Sequence, residues 1–221
     1  DGVTPIHDGD FVAFSAASPR LKFTPAPNSN VAGSFAIQAS ATASDAGLGG
    51  VPVTATITVT PVNDAPTLDA SGAPFLDAID QGSAANPGTS IADLLARAAL
   101  GNPIGDVDAG ALRGIAITAV NEAAGTWEYS INGGTNWQAV GTVSGSKSLL
   151  LAADSQSRLR LTSSAVTGLV TEAISFRAWD QTSGAVGSKV KTSTNGNDTA
   201  FSTDIETASI AVNPLSGAGF V

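Results

Sequence analysis

The chain has no cysteine, no methionine, one histidine and only 5% aromatic residues among its 221. Without cysteine there are neither disulfides nor thiolate metal ligands. A lone His7 removes histidine-based triads and histidine-rich zinc sites. Charge is also sparse: 10 basic residues stand against 19 acidic ones, for a net charge of −9. Phosphate binding needs clustered cations, so neither nucleic acid nor an anionic membrane surface is an expected partner. No apolar run reaches the roughly 18 residues that span a bilayer, so membrane insertion is not expected. There is no signal-peptide pattern, and the chain opens Asp1-Gly2-Val3, which reads as a processed or excised piece of something longer.

What is abundant is small and β-forming. Alanine and valine dominate a hydrophobic content of 43%, and 24 glycines and 11 prolines punctuate it. That composition predicts an all-β, turn-rich protein with modest cores. An acidic surface finds its natural counter-charge in divalent cations, although acidity also simply maintains solubility.

An internal repeat organises the chain. Residues 20–47, RLKFTPAPNSNVAGSFAIQASATASDAG, parallel residues 158–184, RLRLTSSAVTGLVTEAISFRAWDQTSG. Each copy is followed by an alternating strand, at 53–63 and at 206–214. The expected domains are therefore residues 1–63, the C-terminal part of a first β-sandwich module, residues 64–213, a second and complete module, and residues 214–221, a tail or linker. In the first module, strands are expected near residues 20–24, 34–42 and 53–60. In the second, Ile91, Leu94, Leu95, Ala98 and Ala99 have helical spacing behind the N-cap candidate Ser90, predicting a helix of two to three turns. Residues 126–140 predict a hairpin turning at Asn132-Gly133-Gly134.

At the joint, Pro61 and Pro66 bracket Asn63-Asp64 and hold the chain stiff where a flexible linker would use glycine and serine. The phrases VTATITVTPVNDAPTL, NPIGDVDAGALRGIAIT, TWEYSINGGTNWQAV and ISFRAWDQTSG resemble the cadherin-like, Ig-sandwich repeats of giant bacterial surface proteins and adhesins. The resemblance covers nearly the whole chain. It implies tandem sandwiches, extracellular by type I secretion, with Ca2+ at the junctions. By that pattern Asn63 and Asp64 match the linker ligands, Asp106 and Asp108 the Asp-x-Asp, and Asp180 the late aspartate. Calcium takes six to eight oxygens, and converging carboxylates without a cation would repel. The plainer reading of Asp106-Val107-Asp108 with Gly110 is an ordinary β-turn. At the C-terminal end Asp80 occupies the comparable early acidic place, but Pro214 replaces the linker aspartate, so Ca2+ is not expected there.

Other motifs fall away. The Asp106 loop is not an EF-hand, since its twelfth position is Ile117. Ser144 and Lys147 have the spacing of a serine β-lactamase motif without its partner motifs. No catalytic constellation remains, and a non-enzymatic structural or adhesive segment of an extracellular array is the expectation. Its partners would be neighbouring modules or other copies of the chain, and a cell-surface or glycan ligand is also compatible. Two alternatives stay open: a subunit of a filament, sheath or surface layer assembled by strand addition, and a carbohydrate-binding module using Trp127, Trp137 and Trp179. Core packing is the competing role for those tryptophans, with Trp137 the most exposed.

Overall fold

The computed structural model describes residues 4–13, 21–99, 101–162 and 166–215. The chain divides into two units, Asp1–Val62 and Asn63–Val221, so the division falls at the expected joint. The architecture is all-β with one short helix.

Unit 1 is a hairpin. Strand β1 (Gly33–Ser40) pairs antiparallel with β2 (Leu48–Ile57), with a register irregularity between Ile37 and Ala39. Phe35 lies opposite Ala55 and Ile37 opposite Val53, so apolar residues share one face and Ser34, Thr54 and Thr56 the other. These are the only strands among the described residues of unit 1. The strand expected near residues 20–24 does not form at residues 21–24, and Arg20 lies outside the described residues.

Unit 2 holds the core. Its short strands β3 (Thr67–Leu68), β4 (Ile79–Asp80), β5 (Thr89–Ser90) and β6 (Ile104–Gly105) precede β7 (Gly114–Val120) and β8 (Thr126–Ser130). Then come β9 (Gln138–Ala139), β10 (Ser148–Ala152), β11 (Arg158–Thr162), β12 (Gly168–Trp179), β13 (Lys189–Val190) and β14 (Glu206–Asn213). A six-stranded sheet has the order β13-β10-β7-β12-β14-β4, a four-stranded sheet the order β5-β11-β8-β9, and β3 pairs with β6. Inward residues of both sheets make one core: Ile115, Ile117, Leu149, Ile174, Phe176 and Ile210 meet Trp127, Leu159 and Leu161. The outer face of the larger sheet is sealed by a second cluster of Ala116, Leu150, Trp179, Ala200 and Phe201. That double burial is why β7 and β10 read as apolar runs rather than alternations.

The helix α1 (Ile91–Ala96) is shorter than its spacing predicts. The Ser90 Oγ caps it, accepting from the Asp93 N–H at 3.0 Å, and Ile91, Leu94 and Leu95 are buried as expected. Beyond Ala96 the hydrogen bonds tighten, Ala98 N–H donating to the Leu95 carbonyl and Gly101 N–H to that of Ala98. The chain turns there instead of continuing the helix. The expected hairpin forms between β8 and β9, with Gly133 at φ 71° and Gly134 at φ 92° supplying the left-handed turn. Ile131, however, is 42% exposed and lies beyond the strand.

Phe176 sits at the centre of this core with no exposed surface. Phe176→Ala is expected to destabilise unit 2 by about 3–5 kcal/mol, whereas Phe35→Ala in unit 1 should barely move that transition. Denaturant unfolding followed by tryptophan fluorescence reads unit 2 alone, because all three tryptophans lie there. Equal effects from the two substitutions would contradict this division of the core.

Candidate metal centre

Antiparallel pairing of β7 with β12 sets Gly114 opposite Trp179 at one end of the six-stranded sheet. Gly114 is required there, since a Cβ would stand 2.7 Å from the Trp179 ring and 2.8 Å from the Leu151 carbonyl. The loop leading into β7 therefore meets the residue leaving β12. That loop carries Asp106 and Asp108, and the residue is Asp180.

The linker comes to the same place. The Asp64 backbone N–H donates to Asp108 Oδ2 at 2.8 Å. The Asn63 amide donates to Asp180 Oδ2 at 2.9 Å and to the Thr199 carbonyl at 3.1 Å. Ala65 N–H donates to the Asn197 carbonyl at 2.7 Å, and Pro66 is buried behind it. All five residues singled out by sequence, Asn63, Asp64, Asp106, Asp108 and Asp180, thus converge at one end of unit 2. The loop at residues 195–200, which receives the linker through two carbonyls, carries no recognisable signal in its composition; Gly196 and Asn197, both at positive φ, mark it only as a turn.

The carboxylates are only partly satisfied. Asp180 is 2% exposed; its Oδ1 accepts from the Thr182 N–H at 2.8 Å and hydroxyl at 2.6 Å. Asp106 Oδ1 accepts from the Asp108 N–H at 2.8 Å. Asp106 Oδ2 is buried and has no partner. Burial chiefly, then the charges of Asp108, Asp180 and Asp64, raise the Asp106 carboxyl above its ordinary value of 3.8, against the lowering effect of the Asp108 N–H. A buried orphan oxygen on a carboxyl that feels the charge of three further aspartates suits a hard, oxygen-seeking cation.

The fit is incomplete in two respects. Among the described residues no three His, Cys, Asp or Glu side chains stand close enough to hold a metal ion as they are placed. Asn63 presents its NH2 group to two acceptors, Asp180 Oδ2 and the Thr199 carbonyl, so these hydrogen bonds do not use its amide oxygen. At the other end of unit 2, the Asn213 amide donates to Asp80 Oδ1 at 3.2 Å, a comparable Asn–Asp pair without an acidic linker partner.

The remaining sequence candidates are structural. Ser144 and Lys147 close a turn through mutual backbone hydrogen bonds. Trp127 and Trp179 are buried at 3% and 1% exposure, and the Arg160 guanidinium covers the Trp137 ring at 4.0 Å. Arg160 is fixed in turn by Glu128 at 2.7 Å. The three tryptophans therefore form no common exposed platform.

An acid with a raised folded-state pKa costs stability above that value, and the cost is relieved as pH falls and the group takes up its proton. Asp106→Asn keeps the Oδ1 acceptor and removes the charge. In chelator at neutral pH it should raise stability by about 0.5 kcal/mol, the scale of a half-exposed charge interaction. The advantage over wild type should vanish as pH approaches 3.8, the ordinary value for this carboxyl. Thermal melts across that range check it; a variant less stable at neutral pH would mean the four carboxylates do not repel.

No protein-family model, no curated protein and no solved structure matches this chain.

Proposed function

We propose that this chain is a non-enzymatic structural segment of an extracellular repeat array, in which Ca2+ binds the acidic end of unit 2 and fixes the linker there. The observation that supports the reading is that Asp64, Asp108 and Asp180 all act electrostatically on Asp106, whose Oδ2 is buried without a partner. The resemblance of the linker and loop phrases to cadherin-like repeats supports the same reading, as do the low charge and absence of cysteine. Asp106, Asp108 and Asp180 would supply ligand oxygens and Asp64 a further carboxylate from the linker. Asn63 would position Asp180. A cation would offset the repulsion among these groups, and binding would tie residues on both sides of Pro66 to one sheet end.

A site of this kind in an extracellular module binds with a Kd on the order of 10⁻⁴–10⁻³ M. Asp108→Ala should weaken calorimetric Ca2+ titration by at least about tenfold, roughly 1.4 kcal/mol, while Ser144→Ala leaves it unchanged. Equal affinities in the two variants would move the site elsewhere. Because only ionised carboxylates bind, affinity should also fall as the solution is acidified through the raised Asp106 value.

Fixing the linker has a consequence for shape in solution. Small-angle scattering should show a narrower spread of maximum dimension in millimolar Ca2+ than in chelator. An identical distance distribution in both conditions would sink the stiffening role even if the ion binds.

A second reading, assembly by strand addition, is favoured by one observation: the apolar face of the unit 1 hairpin is uncovered, with Ile37 53% and Val53 63% exposed.

A further inference from the structure

We infer that the outer face of the four-stranded sheet carries a binding site for an acidic sugar, read by Arg158 and Arg160 beside Trp137. The inference goes beyond the array reading and uses nothing of the acidic end, so loss of calcium binding would leave it standing.

Side chains alternate along β11. Leu159 and Leu161 enter the core, so Arg158 and Arg160 stand together on the outer face. On β8, Glu128 lies directly opposite Arg160. The segment before β5 and the turn that joins β8 to β9 flank this face. Here they enclose an open cavity of about 470 Å³, lined by Asn86, Pro87, Gly134, Trp137 and the two arginines. That size lies within the roughly 300–1,000 Å³ of small-ligand clefts.

Both guanidiniums are fixed along the same edge. Arg158 Nε donates to the Pro87 carbonyl at 2.8 Å, and its Nη2 to that of Gly88 at 2.6 Å. Arg160 Nε donates to Glu128 Oε2 at 2.8 Å, and its Nη2 lies 2.7 Å from the same oxygen. The Nη1 ends are less engaged. That of Arg160 reaches the Asn86 carbonyl at 3.2 Å, and that of Arg158 has no hydrogen-bond partner among the described residues. A planar fork already held on one side loses little further freedom when its other N–H groups meet a ligand. Trp137 is equally fixed, with Arg160 over its ring and Gly88 behind its edge. A Cβ on Gly88, at φ 62°, would stand 2.8 Å from the indole.

Charge and shape then select the occupant. The chain has 19 acidic and only 10 basic residues, yet two arginines and, among the described residues, no acid line this cavity. Two guanidiniums backed by Glu128 leave a single positive charge. One carboxylate balances it, whereas a phosphate monoester, at about −1.5 to −2, would exceed it. A carboxylate alone leaves most of the cavity empty, and a ring attached to it fills the space beside the indole with its apolar C–H face. An acidic peptide would bring backbone groups that also need partners. The cavity has few to offer, since the N–H groups of Gly88, Gly133 and Gly134 are taken by Asn86 Oδ1, the Gln156 carbonyl and Ser130 Oγ. The chemistry that fits is a uronic acid.

The test titrates trigalacturonate into the full chain in chelator and follows tryptophan fluorescence. Trp127 and Trp179 are buried, so Trp137 reports on the cavity. A saturable change is expected, with neutral trigalactose at least about tenfold weaker. Arg158→Lys keeps the charge and loses the fork, and should weaken binding by tenfold or more. Ala85→Glu should do the same by placing an acid at the exposed rim while leaving both guanidiniums bonded, so it decides the matter if Arg158→Lys fails to fold. Lys191→Gln, an exposed cation elsewhere, should keep wild-type affinity. No saturable change, or equal affinity for trigalactose, overturns the inference. So does acetate or a tri-aspartate peptide binding as tightly as trigalacturonate, because the cavity would then read a carboxylate without the sugar.

Discussion

Strand β7 is the constraint on which unit 2 depends. It is hydrogen-bonded on both edges, by β10 and β12, and buried on both faces over Gly114–Thr118. A strand so enclosed cannot slip, because a one-residue shift would exchange Ile115 and Ile117 with Ala116 between the two clusters. Its fixed start at Gly114 places the preceding loop next to the exit of β12. The proximity of the loop carrying Asp106 and Asp108 to Asp180 is thus a consequence of sheet register, and the linker joins it through the Asn63 side-chain amide and the backbone N–H groups of Asp64 and Ala65.

Among the described residues of unit 2, Asp106 Oδ2 at the acidic end, Ser157 Oγ and Arg177 Nε are buried without hydrogen-bond partners. Backbone N–H groups, the Thr182 hydroxyl and the Asn63 amide answer both oxygens of Asp180 and one each of Asp106 and Asp108, while Asp106 Oδ2 is buried without a partner. Elsewhere buried acids are fully engaged. Glu206, at 5% exposure, accepts from the N–H groups of Gly72, Ala73 and Thr207. The buried Glu206 is thus sated and fastens the edge of the sheet, whereas the half-buried Asp106 keeps one unpartnered oxygen.

The two repeat copies differ in register. Their hairpins have closely similar sequences, yet Ser175 pairs with Thr207 whereas Ser34 pairs with Thr56, a slip of two residues relative to the alignment. A slip of two preserves which residues share a face, so the apolar stripe survives in unit 1 without a core to receive it. In unit 2 the neighbours β7 and β4 hold the pair from both sides. In unit 1 the pairing is irregular between Ile37 and Ala39, where the Gln38 amide donates to the Gly50 carbonyl at 3.0 Å.

Much of this was legible in the residues. The low aromatic and charged content, the alternating segments and the turn signals determined an all-β chain with its joint at Asn63. The spacing of Ile91, Leu94 and Leu95 behind Ser90 determined a capped helix, because capping and periodicity are local. The five linker and loop residues were visible only through a resemblance, and their convergence was decided by the β7–β12 ladder, a pairing across a long sequence separation. Tertiary structure alone decided that the Asn63 amide donates to Asp180, that Arg160 covers Trp137, and that residues 21–24 form no strand. Each depends on which neighbour is present in space, and a strand's propensity cannot supply the partner that its hydrogen bonds require.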